Sequence, residues 1–257
     1  MNTLARRHQI VQAAITTGKV YVIDLVEKYK VSAVTIRTDL NHLHQNNILI
    51  RFRGGALSSN KITKELSIDD KSCDQVSIKK ALAKRVVQEL NENESIILDS
   101  GTTTAEVARQ LSSFRRLVIM TNGLNVMENL TQYEEFEVLM TGGTYREKSK
   151  SFYGRQAEDS LERYHFDKVI LGVDGLDFHS GITTHFEHDA ILNRIMCRVA
   201  KEVIVITDSS KFNVSGMHQI CTLKHIDTLV TDSGIPEAFA VELEKNGVNL
   251  IIVNKSS

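Results

Sequence analysis

Residues 95–111 read SIILDSGTTTAEVARQL, and the order of residue types in this stretch decides the architecture. Ile96, Ile97 and Leu98 form a short apolar run that ends at Asp99; Ser100-Gly101-Thr102-Thr103-Thr104 follow, and then Ala105, Val107, Ala108 and Leu111 recur at helical spacing. That is a strand, a small polar loop and a helix. Such a junction suits an anion, because glycine lets the backbone approach closely, hydroxyls donate, and the first helical turn presents unpaired N–H groups at the positive end of its dipole. The same residues also describe an ordinary capped turn. The loop has neither the lysine of a P-loop nor the glycine spacing of a dinucleotide fingerprint, so the rest of the chain has to decide.

Working toward the C-terminus, a helix is predicted from Ser77 through Ile78, Leu82, Val86 and Leu90. Beyond it, strands are predicted at 96–99, 117–121, 136–140, 168–173, 203–207, 226–231 and 249–253, and most are separated by helices such as 105–111, 124–130, 156–164, 189–200 and 237–245. This alternation specifies an α/β domain with a mainly parallel sheet, covered on both faces, whose ligands gather at the strand C-termini. Five strand ends carry small, hydroxyl or acidic residues: Asp99-Ser100-Gly101-Thr102, Thr121-Asn122-Gly123, Thr141-Gly142-Gly143, Gly172-Val173-Asp174-Gly175 and Thr207-Asp208-Ser209-Ser210-Lys211. Turns favour these residues in any protein. Five converging loops with one lysine nevertheless fit a phosphorylated polyol, whose phosphate takes N–H groups and Lys211 while carboxylates accept from its hydroxyls.

Working toward the N-terminus, charge changes sign. Through Lys64 there are ten basic and three acidic residues, a formal charge of +7 that leaves −8 on the remainder. A basic end on an acidic body points to a polyanion partner for the first 60 or so residues. Leu4, Ile10, Val11, Ala14 and Ile15 mark one helix, 22–29 a second, and Ser32 caps a third with Ile36, Leu40 and Leu43 as its buried seam. The third helix would present Ser32, Thr35, Arg37, Thr38 and Asn41 to a DNA major groove. Arg51 and Arg53 share one face of a following strand that ends at a glycine turn, and together with Arg6 and Arg7 they complete the predicted DNA-binding set.

The remaining features exclude other classes. No apolar run reaches the roughly 20 residues of a membrane span, and the N-terminus lacks an apolar leader, so a cytoplasmic protein without membrane contact is expected. Three scattered cysteines at 73, 197 and 221 indicate reduced thiols, neither a disulfide framework nor a zinc site. His185, His188 and Asp189 have no third ligand of evident spacing and are expected to flank the cleft; no metal or cofactor is expected. Arg146, Lys148 and Lys150 either close over a second phosphate or form a solvated run, and Tyr145, Phe152 and Tyr153 either cover the ligand or pack.

SAVTIRTDLNHL followed by IRFRGGA resembles the winged helix-turn-helix of the DeoR family of bacterial transcriptional regulators, with the pattern VSxxTIRxDLxxLxxxGxxxRxxGGA, over residues 4–57. It departs at Asn47, where the family has glycine; asparagine tolerates the left-handed conformation. LDSGTTT, TNGLNV, TGGTYREKSKSFYG, GVDGLD, GITT and TDSSKF resemble the family's C-terminal domain, which is similar to ribose-5-phosphate isomerase. The resemblance implies a DNA-binding domain at 1–57, a linker at 58–76 and a sugar-phosphate-sensing domain at 77–257. The implied function is repression of a carbohydrate uptake or catabolism operon by a homodimer or homotetramer on operator DNA. The nearest motifs are those of amino-sugar (N-acetylgalactosamine-type) and hexitol regulators. The expected effector site comprises Asp99, Ser100, Gly101, Thr102, Thr103, Thr104, Thr121, Asn122, Gly142, Gly143, Asp174, Gly175, Asp177, Glu187, Asp208 and Lys211. The isomerase pattern DGADE followed by KGGGGA would place carboxylates at Asp174 and Asp177, but Glu187 stands where its lysine would fall and the glycines are gone. A non-enzymatic sensor is therefore expected, with a sugar-phosphate isomerase or hydrolase carrying an accessory DNA-binding domain as the alternative.

Overall fold

The computed structural model describes residues 3–17, 19–45, 48–52, 54–58, 65–178 and 180–254. The chain divides into two compact units, 1–63 and 64–257. In the first, α1 (Thr3–Thr17), β1 (Lys19–Tyr21), α2 (Val22–Tyr29), α3 (Ala33–Gln45), β2 (Leu49–Phe52) and β3 (Gly55–Ser58) make three helices and an antiparallel sheet of order β1-β3-β2. Ile36, Leu40 and Leu43, the predicted seam of α3, are buried with Ile10 and Ala14 of α1 and Val22 and Leu25 of α2. Ser32 Oγ accepts from the Thr35 N–H at 3.1 Å, satisfying one of the donors that a helix start leaves free. Gly54, at φ +101°, turns the wing in a conformation that an L side chain rarely adopts. Asn47 and Arg53 lie outside the described residues.

The second unit contains α4 (Ile68–Cys73), α5 (Val76–Val87), β4 (Ser95–Leu98), α6 (Thr102–Arg109), β5 (Val118–Thr121), α7 (Leu124–Leu130), β6 (Glu137–Met140), β7 (Thr144–Arg146), β8 (Ser151–Tyr153) and α8 (Arg155–Leu161). There follow β9 (Phe166–Gly172), β10 (Gly175–Asp177), β11 (Gly181–Thr184), α9 (Glu187–Val199), β12 (Ala200–Ile206), β13 (His218–Cys221), β14 (Thr228–Asp232), α10 (Glu237–Lys245) and β15 (Asn249–Val253). Seven of these strands form one wholly parallel sheet of order β15-β14-β12-β9-β4-β5-β6. Side chains alternate across it: Ile97, Val169, Leu171, Val203, Val205 and Leu229 pack in one core, and Ile96, Leu98, Ile170, Ile204, Ile206 and Val230 in the other. This two-sided burial explains the nearly continuous apolar runs. The order reverses direction between β4 and β9, and that switch point is where an open parallel sheet leaves a crevice at its C-terminal edge.

Part of the segment expected to be a linker, 58–76, is folded into the second unit. Ser67 caps α4 by accepting from the Asp70 N–H at 3.2 Å, Ile68 is buried, and Lys71 pairs with Asp174 at 2.6 Å. The polar composition that suggested a hinge reflects ion pairs. The hairpin β7–β8 and the small antiparallel sheet β10-β11-β13 were also not predicted, their strands being too short for a period-2 pattern to register.

Candidate functional site

Asp99 ends β4 at the switch point, and the chain turns there through Ser100 and Gly101 into α6. Gly101 occupies the cap position of α6 and offers no side chain to its first turn. A Cβ on Gly101 would lie 3.2 Å from Asp99 Oδ1 and 3.7 Å from Gly172 Cα, which measures how tightly the ends of β4 and β9 close on each other. Thr104 is completely buried, and its hydroxyl shares one proton between Asp99 O at 2.9 Å and Gly101 O at 2.8 Å. Thr104→Val should therefore keep the fold but loosen the loop. It should cost about 1–3 kcal/mol, read as a lowered melting temperature of the second unit.

Around this junction lies a cleft of about 90 Å³. Its lining includes Asp99, Ser100, Gly101, Thr102 and Thr103 from the β4–α6 turn, Asp174 after β9, and Asp208 and Lys211 after β12. The structure thus brings together eight of the predicted residues. The others do not line it. Thr104 is spent inside the loop; Thr121 Oγ1 accepts from the Gly123 N–H at 3.0 Å, and Asn122 donates to the Phe152 carbonyl at 3.3 Å. Gly142 and Gly143 follow β6, a strand two places beyond β4, and a Cβ on Gly143 would meet the Tyr153 carbonyl. Gly175 packs its backbone on the Val214 carbonyl, Asp177 accepts from the Ser180 N–H and hydroxyl, and Glu187 is exposed on the first turn of α9. Sheet order explains the outcome for β5 and β6, whose ends lie on the far side of β4 from β9.

Two of the four lysines of the cleft come from helices where sequence reasoning sought no cation. Lys71 of α4 and Lys79 of α5 join Lys211 and Lys148 in the lining. Lys79 is buried and donates to the Lys71 carbonyl; its register with Leu82, Ala83 and Val86 on the inward face of α5 was a signal that the sequence offered. Burial lowers the affinity of Lys79 for its proton, against the pull of Asp208 and Asp74. Asp174 accepts from Lys71 at 2.6 Å and from Thr184 Oγ1 at 3.1 Å; burial works to raise it, and Lys71 draws it below the usual carboxylate range.

Two carboxyls move the other way. Burial pushes Asp99 up to about 6 despite backbone donors from Gly101 and Gly172, and it pushes Asp189 of α9, a further lining residue, up to about 7 against the partial opposition of Arg146. Asp189 Oδ1 is buried without a hydrogen-bond partner. The basic run after β7 is engaged on the α4 segment: Arg146 Nη2 holds Glu65 at 2.7 Å, Lys148 reaches it at 3.3 Å, and Lys150 binds Asp69 at 2.6 Å. Arg146 also lies over the Phe186 ring at 4.1 Å, and Tyr153 packs on Phe186 and His188. Tyr153 therefore packs against this wall.

In the first unit Arg37, Thr38 and Asn41 are exposed on α3 and Ser32 is exposed just before it, and Thr35 is half-buried beside Ser32. Val34, unpredicted, stands among them at 69% exposure and suits a thymine methyl. Arg51 is half-buried. Arg6 is a correction: it is only 6% exposed and its Nε donates to Asp39 at 2.6 Å, so its charge is spent within the fold. Arg7 donates to the other oxygen of Asp39 at 2.8 Å.

Comparison with known proteins adds the following. Residues 6–62 match the DeoR-like helix-turn-helix domain and residues 74–233 the DeoR C terminal sensor domain. A protein of Escherichia coli O157:H7 named for transcriptional repression of the aga operon is 46% identical, over 98% of this chain and 95% of its own. The regulator GlpR of Haloferax volcanii is 32% identical over 96% of each chain. The glycerol-3-phosphate regulon repressor of Escherichia coli is 28% identical over 97% of this chain and 99% of its own. Ribose 5-phosphate isomerase A of Methanocaldococcus jannaschii superposes on 52% of this chain and 53% of its own, with a TM-score of 0.39 and 19% identity.

Proposed function

This chain belongs to the DeoR family of transcriptional regulators, and we propose that it represses a carbohydrate operon in the cytoplasm under the control of a phosphorylated sugar held at the β4–β9 switch point. The observation that carries this reading is the convergence of the α6 N-terminus, Lys211, Lys71 and Lys79 on one cleft. Unpaired N–H groups and ammonium ions are the donors that a phosphate requires, and Asp174 and Asp189 are the acceptors that sugar hydroxyls or an amine require. The relatives named for the aga operon and for glycerol 3-phosphate support a carbohydrate effector; the carboxylates favour an amino-sugar phosphate or a hexitol phosphate.

Operator DNA is read by α3 through Ser32, Val34, Arg37, Thr38 and Asn41, and phosphates are met by Arg51 and Arg53 of the wing. One winged helix buries too little surface for operator affinity, so a homodimer or homotetramer on repeated half-sites follows. Catalysis is not part of the proposal. Of the two carboxylates that the isomerase pattern places here, Asp174 is paired with Lys71 and Asp177 is turned to Ser180, and Glu187, which stands in place of the isomerase lysine, is exposed, so no cation to stabilise an enediolate is supplied from that position. Turnover of a sugar phosphate that is lost on Asp174→Asn would favour the isomerase reading.

The test is footprinting on the DNA upstream of the protein's own gene, with and without sugar phosphates. Arg37→Ala should weaken operator binding by about tenfold or more and leave phosphate-ester binding intact, whereas Lys211→Ala should do the reverse. Protection of no site in any ligand state overturns the regulator reading, and equal loss of both activities in either variant reports misfolding.

A further inference from the structure

The segment 65–74 follows the DNA-binding unit in sequence and lies across the cleft as a strap. Its helix α4 has six residues, too few to hold a helix by hydrogen bonding alone, and Ile68 is its buried apolar side chain. Ion pairs hold it instead. One anchor is at the cleft wall, where Glu65 meets Arg146 and Lys148, and one is outside the cleft, where Asp69 meets Lys150. The third is inside, where Lys71 reaches Asp174 at 2.6 Å, and Lys79 from below donates to the Lys71 carbonyl.

We propose that Lys71 is the residue through which the effector reaches the DNA-binding unit: the ligand phosphate replaces Asp174 as the partner of Lys71 and thereby resets the strap. The proposal rests on the phosphate reading of the cleft given above. Lys71 lines the same cleft as Lys211 and the α6 N-terminus, so an anion seated on those donors lies within its range. A phosphate dianion outcompetes a single carboxylate for an ammonium ion, because both its charge and its acceptor count are larger. The cleft has room for a phosphate, and Glu65, Leu66, Ile68 and Lys71 of the strap form part of the wall that the attached sugar meets. A ligand shifts an equilibrium only through contacts that differ between states, and the change of partner at Lys71 is such a contact, placed on the stretch of chain that follows the DNA-binding unit in sequence.

The experiment is hydrogen–deuterium exchange of the full chain, read at residues 68–74 and 99–104, together with operator titration. The probes are inorganic phosphate and hexose, hexosamine and hexitol 6-phosphates. In the ligand-free protein, Lys71→Met and Asp174→Asn should each speed exchange at 68–74 several-fold. In the wild type, a binding sugar phosphate should slow exchange at both segments and change operator affinity at least about fivefold, the lower end of ordinary coupling. In Lys71→Met it should slow only 99–104, and the operator response should fall below about twofold. A full operator response in Lys71→Met, with 99–104 still protected, overturns the role of Lys71 alone, as does a wild type whose 99–104 segment is protected without any change at the operator. Failure of every probe to protect 99–104 in the wild type overturns the phosphate site and the strap together.

Discussion

Asp39→Ala is expected to abolish operator binding by unfolding the first unit while the second keeps its melting transition. Asp39 lies on α3, is 1% exposed, and accepts from Arg6 and Arg7 of α1 at 2.6 and 2.8 Å. Burial works to raise its pKa, and the hydrogen bonds and charges of the two arginines hold it below the ordinary value instead. Removing the carboxylate leaves Arg6 buried beside another arginine with no counter-ion, a loss of about 3–5 kcal/mol. A winged helix of some 60 residues has a margin of about that size. The result separates two roles for these arginines. Were Arg6 a phosphate contact, freeing it from Asp39 would preserve or strengthen binding, and Arg6→Ala would lower the salt slope of binding by about one. As a clamp between α1 and the reading helix, Arg6 on removal gives a phenotype of the same kind as Asp39, a loss of fold, but a smaller one, because Asp39 keeps Arg7 at 2.8 Å. Calorimetry of the full chain, showing loss of one transition with the other retained, checks the assignment; an unchanged operator affinity in Asp39→Ala would refute it.

The clamp also marks where a sequence stops being legible. The seam Ile36, Leu40 and Leu43 was predictable because burial on one face imposes a period, and the seven parallel strands because burial on both faces leaves short continuous apolar runs; β9 and β12 start earlier than expected, at Phe166 and Ala200, and end one residue sooner, at Gly172 and Ile206. Arg6 and Asp39 are 33 positions apart, and no local period couples them, so a buried arginine looks the same as one waiting for DNA. The cleft divides in the same way. Asp99–Thr103, Asp174, Asp208 and Lys211 could be read because strand ends of a parallel sheet share an edge. Thr121, Asn122, Gly142 and Gly143 do not line this cleft, because that rule does not state which strands are neighbours. Lys71 escaped because α4 sits in a polar stretch without periodicity, and its fold depends on partners 81 and 103 residues away.

The largest pH-dependent effect should come from Asp189. Its carboxyl is buried, one oxygen has no donor, and its pKa is pushed from 3.8 up to about 7. A folded state that holds a proton which the unfolded chain has released becomes less stable as pH rises. The penalty is therefore absent near pH 4, grows through the window between the two values, and is complete above about pH 7. At 1.36 kcal/mol per unit it reaches at most about 4 kcal/mol. Asp99, raised to about 6 by burial, adds the same sign over the lower part of the window. Asp39, Asp174 and Glu65, whose values are lowered, act oppositely, since their stabilisation is lost only as pH falls through the acid range. Asp189→Asn removes the charge at nearly constant shape. Denaturant unfolding of the second unit should find the variant equal to wild type near pH 4 and more stable by up to about 4 kcal/mol at pH 8, with the residual slope below pH 6 left to Asp99. A difference that is flat with pH would refute this account. The same variant should bind inorganic phosphate more tightly at pH 8, because one negative charge has left the cleft, and should discriminate less between hexosamine and hexose 6-phosphates. Loss of that discrimination is the result expected if the Asp189 oxygen without a partner accepts from the hexosamine's ammonium group, and an unchanged preference would argue against that contact.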